Sequence, residues 1–475
     1  MRELERQKKE YWAERERIRE ELSAEPDEHG PPKKGSYDKR NKEGKNKKRR
    51  RLLFLLVTGM VAAFLFLSYS PTGNDWLARL TGATVQPPTG NGWLARLTGA
   101  TVQPAEEEQA SEIPAVDEDP QPVEEEPQPA EEEPEAAASE ASATEEEPVN
   151  VYAATMTTKV KDSLADLPER VYVPNVIDGT ITVIDPKTFE VVDSYPVEQL
   201  PFHVTPSWDM TQLYAGNEES STLTVIDPQT GRPSGTVEAA FPYNLYYTPD
   251  GSKTIVVAER LQRIGIRDTE TWELLGSVYI PWPGVDHLDF SADGSYLLAS
   301  SEWSGVVSKV DVNRMELVDY VEVTGTLPID IKLSPDGEVF YVANQGSMGV
   351  SVIDPDTMEE IDFIPTGEGA HGLQISKDTK SMYVSNRMEG TISVMDLATH
   401  EIIDTWVTGG TPDMFQLSTD GRQLWVSGRY DGAVYVLDTE TGELLATIYT
   451  GTQPHGIAYF PNAGRYSLGH NGVYR

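Results

Sequence analysis

Cysteine is absent from the chain. That excludes a disulfide framework and any thiolate, whether as nucleophile or as metal ligand. Also missing are the Gly-x-Ser-x-Gly elbow, the P-loop, the His-Glu-x-x-His pair and EF-hand spacing, so no common hydrolytic, nucleotide-binding or calcium-binding signature is present. Positive charge is scarce: 39 Lys and Arg stand against 77 Asp and Glu, a net charge of −38. Residues 105–149 hold 18 acids and no base. Such a chain repels phosphate backbones, and nucleic acid is not an expected partner. Long apolar runs are reduced to one, Leu52–Tyr69, and histidine to seven positions.

That single run, LLFLLVTGMVAAFLFLSY, is uncharged. Eighteen residues at about 1.5 Å each span about 27 Å, close to a bilayer core. It follows Lys47-Lys48-Arg49-Arg50-Arg51 and precedes acidic sequence, an asymmetry that places the N-terminus in the cytoplasm. A cleaved signal peptide would have a far shorter basic segment and a small-residue cleavage site. The expectation is a retained, single-pass signal anchor over 52–70, behind a charged cytoplasmic segment 1–51, with the rest of the chain outside the cell membrane, most simply of a bacterium.

Residues 71–104 are a tandem duplication: PTGNDWLARLTGATVQP is followed by PTGNGWLARLTGATVQP. Two units are too few to stack into a solenoid, so a spacer is expected. Residues 105–150, rich in Pro, Glu and Ala, cannot bury enough apolar surface to fold and repel themselves; they read as a disordered acidic linker.

From Arg170 onward a unit of about 42 residues recurs. Asp185, Asp227, Asp268, Asp311, Asp354, Asp396 and Asp438 follow one another at steps of 42, 41, 43, 43, 42 and 42. Each unit holds four short strands separated by turns such as Ser334-Pro335-Asp336-Gly337 and Asp431-Gly432. Four strands per 40 to 45 residues is the signature of a propeller blade. The first unit lacks its first strand and opens at Val171-Tyr172-Val173-Pro174-Asn175. The last has a spare one, Pro454-His455-Gly456-Ile457-Ala458-Tyr459. Pairing the two closes the ring and removes an exposed edge. The expected fold class is all-β, a seven-bladed β-propeller over 168–475.

This region resembles the YVTN-repeat β-propeller family. Tyr172, Tyr214, Tyr341, Tyr383 and Trp425 hold the family's aromatic position, with Pro-Asp-Gly turns before it and Ile-Asp-Pro after it. Units three and four depart, with Val256 and Leu298 read at that place. The resemblance implies the fold and says little about chemistry.

The repeat also serves as a ruler. The innermost strand of each blade starts at one mouth of the channel, and there the units place His203, Asn244, His287, Asp330, His371, Asp413 and His455. The four histidines are 84 residues apart, two repeats each time. Imidazole with carboxylate suits Cu, Zn or Fe, so His203, His287, His371 and His455 are candidate ligands of a transition metal. His371, Asp413 and His455 sit one residue earlier than the others, and the ring is expected to spread the four histidines too far apart for most of them to share one ion. A polar ligand bridging the ring is the alternative. Glu259, Glu302, Arg387 and Arg429 follow second strands and are expected as solvated loop ends. The tail GRYSLGHNGVYR is expected to pack across the ring's seam, with His470 outside the site. Two functions follow: a membrane-anchored module that binds a protein or small molecule at the channel mouth, or an extracytoplasmic propeller enzyme using a metal or cofactor on the His/Asp ring.

Overall fold

The computed structural model describes residues 149–475. The charged segment, the apolar run, the duplication and nearly all of the acidic linker lie outside the described residues. Among those described, no helix is long and apolar enough to cross a membrane.

Seven antiparallel sheets of four strands make a seven-bladed propeller. Blade one is assembled from both ends of the domain: Ala458–Phe460 is its inner strand, followed by Arg170–Asn175, Thr180–Asp185 and Glu190–Pro196. The closing register is Arg170 with Phe460, Val171 with Tyr459 and Tyr172 with Ala458, and Asn175 bridges Pro454. Blades two to seven begin with inner strands Pro201–Pro206, Asn244–Tyr247, Val285–Phe290, Pro328–Leu333, Ala370–Ile375 and Pro412–Leu417.

Burial follows position in the blade. Second strands such as Phe340–Asn344 are buried on both faces, because neighbouring blades cover both. Fourth strands such as Arg232–Glu238 form the rim and are mostly exposed. Apolar runs therefore mark the middle strands and alternation the outer one.

Two sets of aspartates hold the turns. In six turns after inner strands a Ser or Thr hydroxyl donates to an Asp two residues on, from Ser207 to Asp209 and Thr248 to Asp250 through Ser418 to Asp420, at 2.5–2.7 Å. The seven evenly spaced aspartates accept backbone N–H bonds from two or three residues ahead, for example Asp396 from Ala398 and Thr399. Each closes the turn into the outer strand. Asparagines ending second strands tie that strand to the third: Asn175 donates to Thr180 and Thr182, Asn386 to Thr391 and Ser393. Tyr172, Tyr214, Tyr341, Tyr383 and Trp425 are buried. In blade three the equivalent place is Ile255 rather than Val256, since Ile255 pairs with Ile266 as Tyr341 pairs with Val352.

Two further segments finish the domain. Residues 151–167 form a strap in which Val151 donates to Pro335 O and the Tyr152 hydroxyl to Leu333 O. The tail after Phe460 does not lie along the seam. It turns into the channel from the face where inner strands end. Leu468 O accepts from Tyr247, Gly472 O from the Gln416 side chain, and Arg475 donates to Asp289 and the Phe290 carbonyl. His470–Gly472, a single 3-10 turn, is its tip.

Candidate functional site

The inner strands carry a bulge at the same level in five blades. Pairing skips from Pro201 to Val204, Val285 to Leu288, Pro328 to Ile331, Ala370 to Leu373 and Pro412 to Phe415. A bulge leaves residues out of the ladder and re-aims their side chains. His203, His287 and Asp330 take the second bulged place, His371 and Asp413 the first. Both places deliver into the channel, so the one-residue offset in the sequence does not scatter the ring. All seven polar residues of the column are buried.

The imidazoles approach one another, although of the four in the column only His203 and His287 fall within one metal-sized group. Ring centroids lie 4.8 Å apart for His203 and His455, 5.4 Å for His203 and His287, and 5.9 Å for His371 and His455. The tail adds a fifth, which the repeat could not show: His470 is 5.1 Å from His203 and 5.0 Å from His287.

The column divides into two groups. On one side Asp413 is the hub of a closed ion cluster. Its Oδ1 meets Arg387 Nη2 and lies 3.0 Å from His371 Nδ1, and its Oδ2 lies 2.6 Å from His455 Nδ1. Arg387 also reaches His371 Nε2 at 2.5 Å and Gln345 Oε1 at 2.8 Å. Burial alone would push the Asp413 carboxyl up, but Arg387 beside it holds it well below the usual range. His371 Nε2 thus faces Arg387 and His455 Nδ1 faces Asp413, and of the four repeat histidines only His203 and His287 fall within one metal-sized group. Asp330 is likewise occupied, by Lys332 Nζ at 3.1 Å and the backbone N–H groups of Ile331 and Leu373.

On the other side His203, His287 and His470 each offer a nitrogen, and the three donor atoms lie within 4.8 Å of one another. His203 Nδ1 is 2.7 Å from Asn471 Oδ1, while its Nε2 is buried without a hydrogen-bond partner. His287 Nδ1 is 3.4 Å from Asp286 Oδ1. His470 Nδ1 is 2.8 Å from Asn244 Nδ2, whose amide is oriented by Leu245 N–H donating to Oδ1 at 2.9 Å. His470 Nε2 lies 3.5 Å from Asp330 Oδ1 and 3.4 Å from Asn471 Nδ2.

Burial depresses the pKa of His203, His371, His455 and His470 well below the ordinary imidazole value. Further lowering comes from His287 beside His203, from Arg387 beside His371 and from Lys332 beside His470. The rings are neutral at neutral pH, the form that ligates metals.

A second ring stands above the first. The opening residue of each turn between second and third strands is Val176, Glu218, Glu259, Glu302, Gln345, Arg387 or Arg429. These are not solvated loop ends: all seven are buried. Phe202, Tyr243, Val176 and Leu200 pack into a cap on this side. The Tyr243 ring lies 5.3 Å from that of His203 and its hydroxyl 3.4 Å from His455 Nε2. Among the described residues seven acids are buried, Glu218, Glu259, Asp286, Asp289, Glu302, Asp330 and Asp413, against four bases, Lys332, Arg387, Arg429 and Arg475. Arg260, at the edge of this ring, lies 3.5 Å from Glu218. The imidazole donor set fits a transition metal ion.

These features define a class: a seven-bladed β-propeller with a histidine-lined channel capped on one side and plugged by its own tail on the other. Residues 147–465 match the YNCE-like beta-propeller family, and the chain belongs to it. No curated protein matches the chain. Among solved structures it is similar to Kuenenia stuttgartiensis hydrazine synthase, at 19% identity and a TM-score of 0.50, over 59% of this chain and 98% of that one. It is also similar to a functionally unknown protein from Desulfotomaculum acetoxidans, at 17% identity and a TM-score of 0.55, over 62% of this chain and 99% of that one. At such identities the likeness establishes the fold alone.

Proposed function

We propose that this propeller is a metal-holding module, with one transition-metal ion on His203, His287 and His470, carried outside the cell by the apolar segment 52–70 and the acidic linker. The observation that carries the reading is the meeting of three buried imidazoles whose donor atoms lie within 4.8 Å of one another. Three nitrogen donors without a thiolate suit zinc, copper or iron. The surroundings supply partners that orient the rings, Asn471 on His203 and Asn244 on His470. The Phe202–Tyr243 cap and the tail plug close the centre on both sides, which favours holding an ion over turning over a large substrate. A partner or small ligand would then meet the capped face, where a shallow cleft of about 940 Å³ is lined by Asp178, Glu198, Leu200, Glu219 and Arg260.

The test is metal analysis of the purified full chain after growth with zinc, copper and iron. One equivalent of ion per chain is expected, with loss of most of it in His203→Ala, His287→Ala and His470→Ala and retention in His400→Ala, the histidine half-exposed near the rim. A wild-type chain that stays metal-free under all three supplements sinks the reading.

A further inference from the structure

The His203 ring is held by a residue that lies outside the repeat. Asn471 Oδ1 stands 2.7 Å from His203 Nδ1. An amide oxygen only accepts, so Nδ1 carries the proton and the lone pair is left on Nε2. The reverse tautomer would bury an N–H at Nε2, an atom with no hydrogen-bond partner, and an unsatisfied buried donor costs about 1–3 kcal/mol. We propose that Asn471 is a positioning residue of the metal centre: it accepts the hydrogen bond of His203 Nδ1–H and thereby aims the Nε2 lone pair at the ion. This rests on the reading of the site as a metal centre and adds that the tail orients one ligand while His470, next to Asn471 in sequence, supplies another.

The fold makes room for this contact. Gly456 bridges His203 across the start of blade one's inner strand, donates to Phe202 O at 2.8 Å and accepts from Val204 N–H at 3.2 Å. A Cβ at Gly456 would overlap both His203 Nδ1 and Asn471 Oδ1. The position needs a glycine for space and not for its backbone angles, because its φ is not among the positive ones. Ser467 N–H and Leu468 N–H are paired to Trp208 O and Val473 O, so the turn bearing Asn471 is seated on backbone bonds of its own. A side chain that orients a ligand through its second ring nitrogen is worth about 10–100-fold in metal affinity.

Two readouts on the full chain test the role. Co(II), followed by its visible absorption, probes affinity; 15N spectra of histidine-labelled, metal-free protein report the tautomer of His203. Asn471→Leu should weaken Co(II) binding about 10–100-fold and move the His203 proton off Nδ1 in part of the population. Asn471→Asp keeps the acceptor and should restore both. Gly456→Ala wedges His203 and Asn471 apart with both side chains kept and should repeat the tautomer shift as well as the weaker binding, which keeps the proposal testable if Asn471→Leu does not fold. Wild-type affinity in both Asn471→Leu and Gly456→Ala overturns the positioning role, and so does a wild-type His203 protonated on Nε2. A wild-type chain that binds no Co(II) overturns the metal reading instead. The tautomer then decides separately: its shift in Asn471→Leu upholds the orienting contact, and its constancy overturns it.

Discussion

Arg387 shows how one residue can settle what its neighbours are free to do. Its guanidinium joins Asp413, His371 and Gln345 in one buried cluster, and its contact with Nε2 keeps His371 out of the proposed metal site. Taking away one partner of a buried ion cluster leaves the other charge uncompensated and costs about 3–5 kcal/mol. Arg387→Met should therefore destabilise the domain by roughly that amount in urea unfolding. An unchanged midpoint would mean that Asp413 is not charged in the folded protein. The column itself was legible from the 42-residue spacing, and all seven members do line the channel. Which of them belong together was not, because ion pairing across blades joins residues some 42 apart with no local mark in the sequence. His470 was missed for a related reason. It has no counterpart in the repeat, and the only hint was one more histidine between two glycines in a tail with no blade to complete.

At the scale of the element, the aspartates that announced the repeat act as turn caps. Asp354 is held down first by the Asp356 N–H, Asp396 by Thr399 and Asp438 by Thr441, and Asp293 by the Ser291 hydroxyl. In each the folded pKa is below the unfolded one. Their contribution is complete above the ordinary carboxylate value of about 3.9 and is lost as pH falls through the lowered folded values. Thermal stability should hold near neutrality and fall below about pH 4. Replacing Asp354, Asp396 and Asp438 together by Asn keeps a side-chain acceptor in each turn but removes the linked proton. The triple variant should melt much like wild type at pH 7 and show a shallower acid slope; an unaltered slope would assign the acid sensitivity elsewhere. The turns were readable because Asp, Pro and Gly act locally. The bulges were not: strict alternation along an inner strand puts His371 and His203 on opposite faces, and only a skipped pairing brings both inward.

For the whole molecule, closure and plugging are separate devices. Ala458–Phe460 completes blade one, and without it Arg170–Asn175 presents an unpaired edge, which invites association with other chains. Residues 464–475 come after closure and fill the channel, burying Leu468, His470, Tyr474 and Arg475. Arg475 lies over the Tyr152 ring of the strap, 5.6 Å from its centre, so the last residue is clamped on the face where the strap packs. The capped face, with its buried ring of Glu and Arg, is the opposite one. Truncation separates the two devices. Ending the chain at Ala463 should leave a monomeric propeller, destabilised by on the order of 3–5 kcal/mol from the loss of two large buried apolar side chains and their contacts, with the metal centre lost because His470 and Asn471 are gone. Ending it at Gly456 should open the ring and give aggregates by size-exclusion chromatography. If both truncations are equally soluble and cooperative on melting, the closing strand is dispensable and the ring is held by blade packing alone. If only the chain ending at Gly456 aggregates, edge pairing is what shuts the circle and the tail serves the channel instead.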